Sequence, residues 1–282
     1  KKLQKMFSFL DWCSTSKNYL VKIGDDDSGK LLHYGITSEL IKEMKDPHAT
    51  TWSQGDSASG HPQEQRDARI STFFPNFGLA IHKDDRWHVT LRHHAYQSTQ
   101  PSGHFHNDVG SITVAVDGIP VFVDPGSFVY TPSAVWRNAF RSVSMHNTFY
   151  IEDVEPVLFN ERSLFVLDLP EQSIKKDANL WQVTHTLYTM TATRELVFEN
   201  EQELVIRDQW SDVQSHTFMS CWNFTLAPEI TATKQNGWWV LSYDKKALLK
   251  LHSSDVTFTL SDSWVAPGYG SKVATQCLRA TT

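Results

Sequence analysis

The chain has 282 residues, a formal net charge of −6, three cysteines and ten tryptophans, with aromatics at 12%. That length can hold one large β-domain with an ample core, and the acidic balance argues against a dedicated nucleic-acid binder and mildly against a tight grip on a polyanion. Cys13, Cys221 and Cys277 are an odd set without short spacing, so they give neither a disulfide framework nor a thiolate zinc site; no stretch reads as a membrane span or a signal peptide.

In chain order, Leu3, Met6, Phe7 and Leu10 stand at helical spacing and predict an N-terminal helix. The chain begins at Lys1 rather than a methionine, as expected of a fragment or processed form. A second short helix is predicted over Thr37 to Lys45, capped by Thr37 or Ser38, with Leu40, Ile41 and Met44 on its apolar side and Pro47 after its end. Between the two, Ile23-Gly24-Asp25-Asp26-Asp27-Ser28-Gly29 reads as an acidic turn. Thr50 to Asp67 is polar, with Gly55, Gly60 and Pro62, and reads as a long loop.

From Phe73 onward short β-rich runs alternate with turns. Strands are predicted at 77–82, 87–96, 111–117, 119–124, 147–152, 163–168, 181–189, 193–199, 203–210, 215–225, 237–243, 247–252 and 255–260. Trp87 to Arg92 alternates apolar and polar, the pattern of a strand buried on one face. Asp117-Gly118 between apolar runs predicts a tight hairpin. So many strands exceed one open sheet, and the absence of a repeat disfavours a propeller, so an all-β, large antiparallel β-sandwich with a short helical N-terminal segment is expected. Its expected divisions are a helical segment and linker at 1–48, a loop at 49–72 and the sandwich at 73–282.

The chemistry is densest between His93 and Asn147. Gly103-His104-Phe105-His106-Asn107-Asp108 is followed by Val123-Asp124-Pro125-Gly126, Tyr130, Arg137, Arg141 and His146-Asn147-Thr148. Extended residues two apart share a side, so His104 and His106 can face one way, and two imidazoles with a carboxylate form a common zinc set. Blander roles stay open. The histidines can be polar loop residues, Asp124 can cap its turn, and His146 and Asn147 can bond backbone. Arg137 and Arg141, four apart, can be a solvated helical face, and His93-His94 strand surface or core edge. Tryptophans in a β-rich chain suit sugar stacking but more often pack in cores. A cupin is disfavoured: Gly110-Ser111 stand where its glutamate belongs.

The ordered set of motifs resembles the C-terminal β-domain of heparinase II/III-like proteins. Ile23 to Gly29 resembles the family's link from a helical toroid, and His185, Arg194-Glu195 and Asp208 fit its looser downstream pattern. The resemblance implies a polysaccharide lyase acting by β-elimination on a uronate-containing polymer. It implies zinc, or another divalent metal, on His106, Asp124 and His146. His104 and Tyr130 would be catalytic, with His104 the base or neutralising donor, its ordinary pKa lying near neutrality. Asn107, Arg137 and Arg141 would contact substrate. The implied partners are an acidic polysaccharide and an N-terminal (α/α) toroid outside this sequence, and the implied location is periplasmic or secreted. The competing expectation is a non-catalytic carbohydrate-binding or structural β-sandwich.

Overall fold

The computed structural model describes residues 2–17, 19–24, 70–75, 77–93, 104–159, 172–177, 179–211 and 217–282. The predicted helix at 37–45, loop at 50–67 and strand at 163–168 lie outside them.

Helix α1 (Lys2–Trp12) is followed by sixteen strands and one further short helix among the described residues. Strands β1 (Ile70–Phe74), β2 (Leu79–Lys83), β3 (Trp87–Arg92), β4 (Ile112–Val116) and β5 (Ile119–Phe122) form one antiparallel meander in chain order. The β4–β5 turn is Asp117-Gly118, both at positive φ (52° and 74°), as its sequence predicts. Helix α2 (Ala134–Arg141) and a single 3-10 turn (Val143–Met145) lead to β6 (Phe149–Ile151).

Strands β7 (Gln172–Lys176), β8 (Leu180–Leu187), β9 (Met190–Asn200) and β10 (Glu203–Ser211) form a second sheet, in the order β10-β9-β8-β7. In β8 every second residue is buried: Trp181, Val183, His185 and Leu187. The third sheet runs β15-β16-β11-β6, built from β11 (Ser220–Thr225), β15 (Thr259–Gly268), β16 (Ser271–Thr281) and β6. A last three-stranded sheet joins β12 (Thr231–Gln235), β13 (Trp238–Tyr243) and β14 (Lys246–Leu251). One continuous core links the four sheets, with Val89, Val114, Trp181, Leu196, Phe224, Leu241 and Leu278 among its members.

Two expectations are corrected. Strand β3 is buried on both faces, not one. Trp87, Val89 and Leu91 join the main core, while His88, Thr90 and Arg92 are also buried, the first of them under the N-terminal segment. His88 Nε2 lies 2.7 Å from the Trp12 carbonyl oxygen, and Thr15 Oγ1 donates to the Gly118 carbonyl at 3.1 Å. The helix itself is where the spacing puts it, but Met6 and Leu10 are exposed. Phe9 and Trp12 pack instead, with Cys13, on Leu79, Ile81 and Phe74. Each aliphatic side chain buried there contributes about 1.5–3 kcal/mol.

Candidate metal centre

Three segments leading into or out of strands meet at one edge of the sandwich. His106 lies on the approach to β4, Asp124 just past β5, and His146 between the 3-10 turn and β6. Since β4 and β5 form a hairpin, the start of one and the end of the other are neighbours. A bridge between Phe122 and Leu226, with Val123 N donating to the Thr225 carbonyl at 3.0 Å, lays β5 against the end of β11. Strand β6 pairs with β11, which brings His146 to the same edge.

The ligand atoms of His106, Asp124 and His146 consequently lie within 4.8 Å of one another, and all three side chains are buried. The two imidazole centroids are 5.2 Å apart. His146 Nδ1 sits 2.9 Å from Asp124 Oδ2, and Asp124 Oδ1 accepts from Gly126 N at 2.9 Å. This last bond closes the Asp-Pro-Gly turn. Gly126 needs its φ of 71°, and a β-carbon there would stand 2.8 Å from the Ala266 carbonyl.

Behind the ligands is a fully satisfied polar frame. Asn147 is completely buried; its Nδ2 donates to the carbonyls of Ile112 (2.8 Å) and Val123 (2.9 Å), and its Oδ1 accepts from Thr225 N (2.6 Å). One amide thus ties β4, β5 and β11 beside His146. Arg194 donates to the carbonyls of Gly110 (2.9 Å) and Asn147 (2.7 Å) and forms a bidentate pair with Asp208 at 2.7 and 2.8 Å. Glu155 accepts from Asn107 Nδ2 (2.5 Å), Val143 N (3.1 Å) and Ser142 Oγ, tying the His106 loop to the 3-10 turn. Asn147, Arg194 and Asp208 stand in motifs visible in the sequence but were not expected at the site. Glu155 carries no spacing signal at all.

Of the remaining expected residues, His104, Asn107 and Arg141 lie on or against the His106 loop. Arg141 donates through Nε and Nη2 to the Phe105 carbonyl at 3.2 and 2.9 Å, fixing the residue before His106. Asn107 also donates to the Val157 carbonyl at 2.9 Å. Arg137 and Arg141 are both buried, so α2 does not present them as a solvated face. Tyr130 is half-buried, its ring 5.1 Å from that of Tyr269, and its carbonyl accepts from Arg137 Nη1 at 3.4 Å. His104 is exposed, two residues from the buried His106. Gly24 lies against it: a β-carbon at Gly24 would be 2.8 Å from the His104 carbonyl. His93 is buried and stacks on Phe73 at 4.7 Å.

The chemistry of this edge fits a cation. His146 Nε2 is buried and has no hydrogen-bond partner among the described residues, an arrangement costly unless something else engages that nitrogen. Burial works against a charged His146, but the Asp124 carboxylate, and more weakly Asp108 and Glu155, outweigh it and raise the imidazole above its ordinary range. The same carboxylates favour a divalent ion. Two imidazoles and one carboxylate match the donors and count of open divalent-metal sites, zinc above all. The three cysteines are buried and free, and stand outside this set.

Among solved structures, a heparinase III matches 99% of the chain with a TM-score of 0.71 at 16% identity, using 43% of its own length. The heparan sulfate lyase HepC from Pedobacter heparinus matches 99% of the chain with a TM-score of 0.64 at 15% identity, using 44% of its length. The chain therefore spans less than half of these relatives, and at such identity they show the fold. No curated protein matches by sequence. No helix of the described residues is long and apolar enough to cross a membrane. The family model for the heparinase II/III-like C-terminal region matches residues 66–281, and the chain belongs to that family.

Proposed function

We propose that this chain is the metal-bearing β-sandwich part of a polysaccharide lyase that cleaves a uronate-containing polymer by β-elimination. The observation that carries the reading is the convergence of His106, Asp124 and His146 from three separate segments flanking strands, in a chain of the heparinase II/III-like family. These residues would hold zinc or another divalent ion. When bound, such an ion ties the strand ends together and supplies fixed positive charge beside the cleft.

The elimination needs a base for the proton next to the uronate carboxylate, an acid for the leaving glycosidic oxygen, and donors that neutralise the carboxylate as charge develops. We assign His104 to the base or neutralising role, because it is exposed two residues from the buried His106. Tyr130 is assigned to proton transfer from the half-buried wall. Arg137, Arg141 and Asn107 are assigned to substrate binding; their side chains are buried and held by the carbonyls of Tyr130, Phe105 and Val157. The solved relatives are more than twice as long, which supports a helical toroid as the domain completing the cleft. The division at 1–48, 49–72 and 73–282 belongs to the same proposal, with its last boundary moved back to Ile70, where β1 already pairs with β2, and so does a periplasmic or secreted location.

Elemental analysis of the purified chain tests the centre. One divalent ion per chain is expected, lost in His106→Ala and Asp124→Ala. The catalytic assignment is tested on the parent protein by the ultraviolet absorbance of unsaturated uronate. Rapid product from the wild type and a loss of roughly a hundredfold or more in His104→Ala are expected. Full activity in His104→Ala would sink the assignment and favour a carbohydrate-binding or structural role.

A further inference from the structure

Beside Tyr130 the chain exposes aromatic surface that the lyase chemistry leaves unused. Trp136 on α2 is 36% exposed, Trp264 on β15 is 37% and Tyr269 in the β15–β16 turn is 40%. The two indole centroids are 6.4 Å apart, edge to face. Lys272 Nζ lies between them, 3.4 Å from the Trp264 centroid and 3.9 Å from that of Trp136. Ring quadrupoles attract an ammonium but neutralise none of its charge. The result is a full positive charge held in one place on an exposed aromatic platform.

This platform is continuous with the metal edge. Ala266 N donates to the Pro125 carbonyl at 2.8 Å and Gly270 N to the Phe128 carbonyl at 2.7 Å, so the β15–β16 hairpin is laced to the segment from Asp124 to Tyr130. Tyr269 packs on Tyr130, and Lys22 Nζ reaches the Ala266 carbonyl at 3.5 Å, adding a second cation along this margin. Asp262, exposed two residues before Trp264, bounds the platform on the side away from the turn.

Stapling α2 to the hairpin accounts for the position of Lys272 but not for the exposure of the two indoles around it, nor for the exposed Tyr269 in the adjoining turn. Flat ring faces suit the apolar face of a pyranose, and a fixed ammonium suits a carboxylate or sulfate. We propose that Trp136, Trp264, Tyr269 and Lys272 form a saccharide subsite for an acidic sugar unit, set beyond Tyr130 along the same polymer. The proposal rests on the polysaccharide reading above and adds the residues that recognise an outlying unit. A lysine already held by two indoles loses little freedom when an anion binds, which favours affinity.

The test is titration of tryptophan fluorescence in the whole chain with a hexasaccharide of alternating glucuronate and N-acetylglucosamine, and with neutral cellohexaose. The acidic hexasaccharide is expected to bind, and cellohexaose to bind at least tenfold more weakly. Lys272→Met keeps the packing between the indoles and removes the charge; about tenfold weaker binding of the acidic sugar is expected, equivalent to about 1.4 kcal/mol. Trp264→Ala is expected to weaken both sugars. Thermal melts confirm folding, and if Trp264→Ala unfolds, Lys272→Met carries the test. Unchanged binding in Lys272→Met, or none by the wild type, overturns the subsite. Sedimentation that shows a dimer dissociated by Trp264→Ala assigns the surface to a second copy and also overturns it. The metal content of these variants stays at the wild-type value if the proposed centre is right, so the two ideas fail separately.

Discussion

Replacing Asn147 by alanine removes one buried amide that serves three backbone groups on three strands. The carbonyls of Ile112 and Val123 lose their donor and Thr225 N loses its acceptor, at bonds of 2.8, 2.9 and 2.6 Å. Each orphaned buried group costs about 1–3 kcal/mol, so three set a ceiling of about 9 kcal/mol. Water entering the space of the lost side chain offsets part of that, and we expect roughly 4 kcal/mol. Against a typical total of about 5–15 kcal/mol, the variant stays folded only with a much reduced margin. Urea unfolding followed by far-ultraviolet circular dichroism measures the difference through the midpoint at constant slope. Metal content should fall with it, because the same amide sets the spacing between Asp124 and His146. A loss below about 1 kcal/mol with full metal retention would refute the idea that this side chain organises the edge.

Arg194→Met leaves the largely buried Asp208 carboxylate without its cation and takes a donor from the carbonyls of Gly110 and Asn147, so a loss of about 3–5 kcal/mol in the same unfolding assay is expected. Gly126→Ala forces a β-carbon into left-handed backbone and 2.8 Å from the Ala266 carbonyl; about 2 kcal/mol and weaker metal retention are expected, read by melting temperature and elemental analysis. Burial favours a protonated Asp84, but hydrogen bonds from His82 and from the backbone N–H groups of Trp87 and Arg86 outweigh it and hold the carboxyl below its ordinary 3.8. That contribution is present above the unfolded value and lost as pH falls through the lower folded value. Asp84→Asn should therefore be less stable at neutral pH and show a flatter acid limb in urea midpoints taken from neutrality downward; an unchanged limb counts against it.

Amphipathic strands announce themselves in the sequence because alternation survives wherever one face is wet. Strands β8 and β9 follow that rule, and their predicted ranges at 181–189 and 193–199 fall within or close to the observed ones. The Asp117-Gly118 hairpin was equally readable, since two consecutive residues at positive φ demand such a pair. Strands β7 (Gln172–Lys176) and β12 (Thr231–Gln235) passed unnoticed because both are sheet edges rich in polar side chains. Their pairing partners, not their own periodicity, make them strands. The run at 255–260 marked only the start of β15, and β16, mostly exposed along its first half, gave no alternation to read.

Residue types and their order along the chain determined the fold class, the hairpin and the candidate ligands. Tertiary structure alone decided that β3 is covered on both faces, because the cover comes from elsewhere in the chain: Trp12 of α1, more than seventy residues away, over His88, and Asp108 against Arg92. It also decided which face of α1 docks, since Phe9 and Trp12 find Leu79 and Ile81 while Met6 and Leu10 find no core. The same holds for the frame behind the metal edge. Asn147, Arg194 and Glu155 bond partners from 12 to 84 positions away. Such partnerships are set by how sheets pack, and packing is a sum over the whole chain that no local pattern contains.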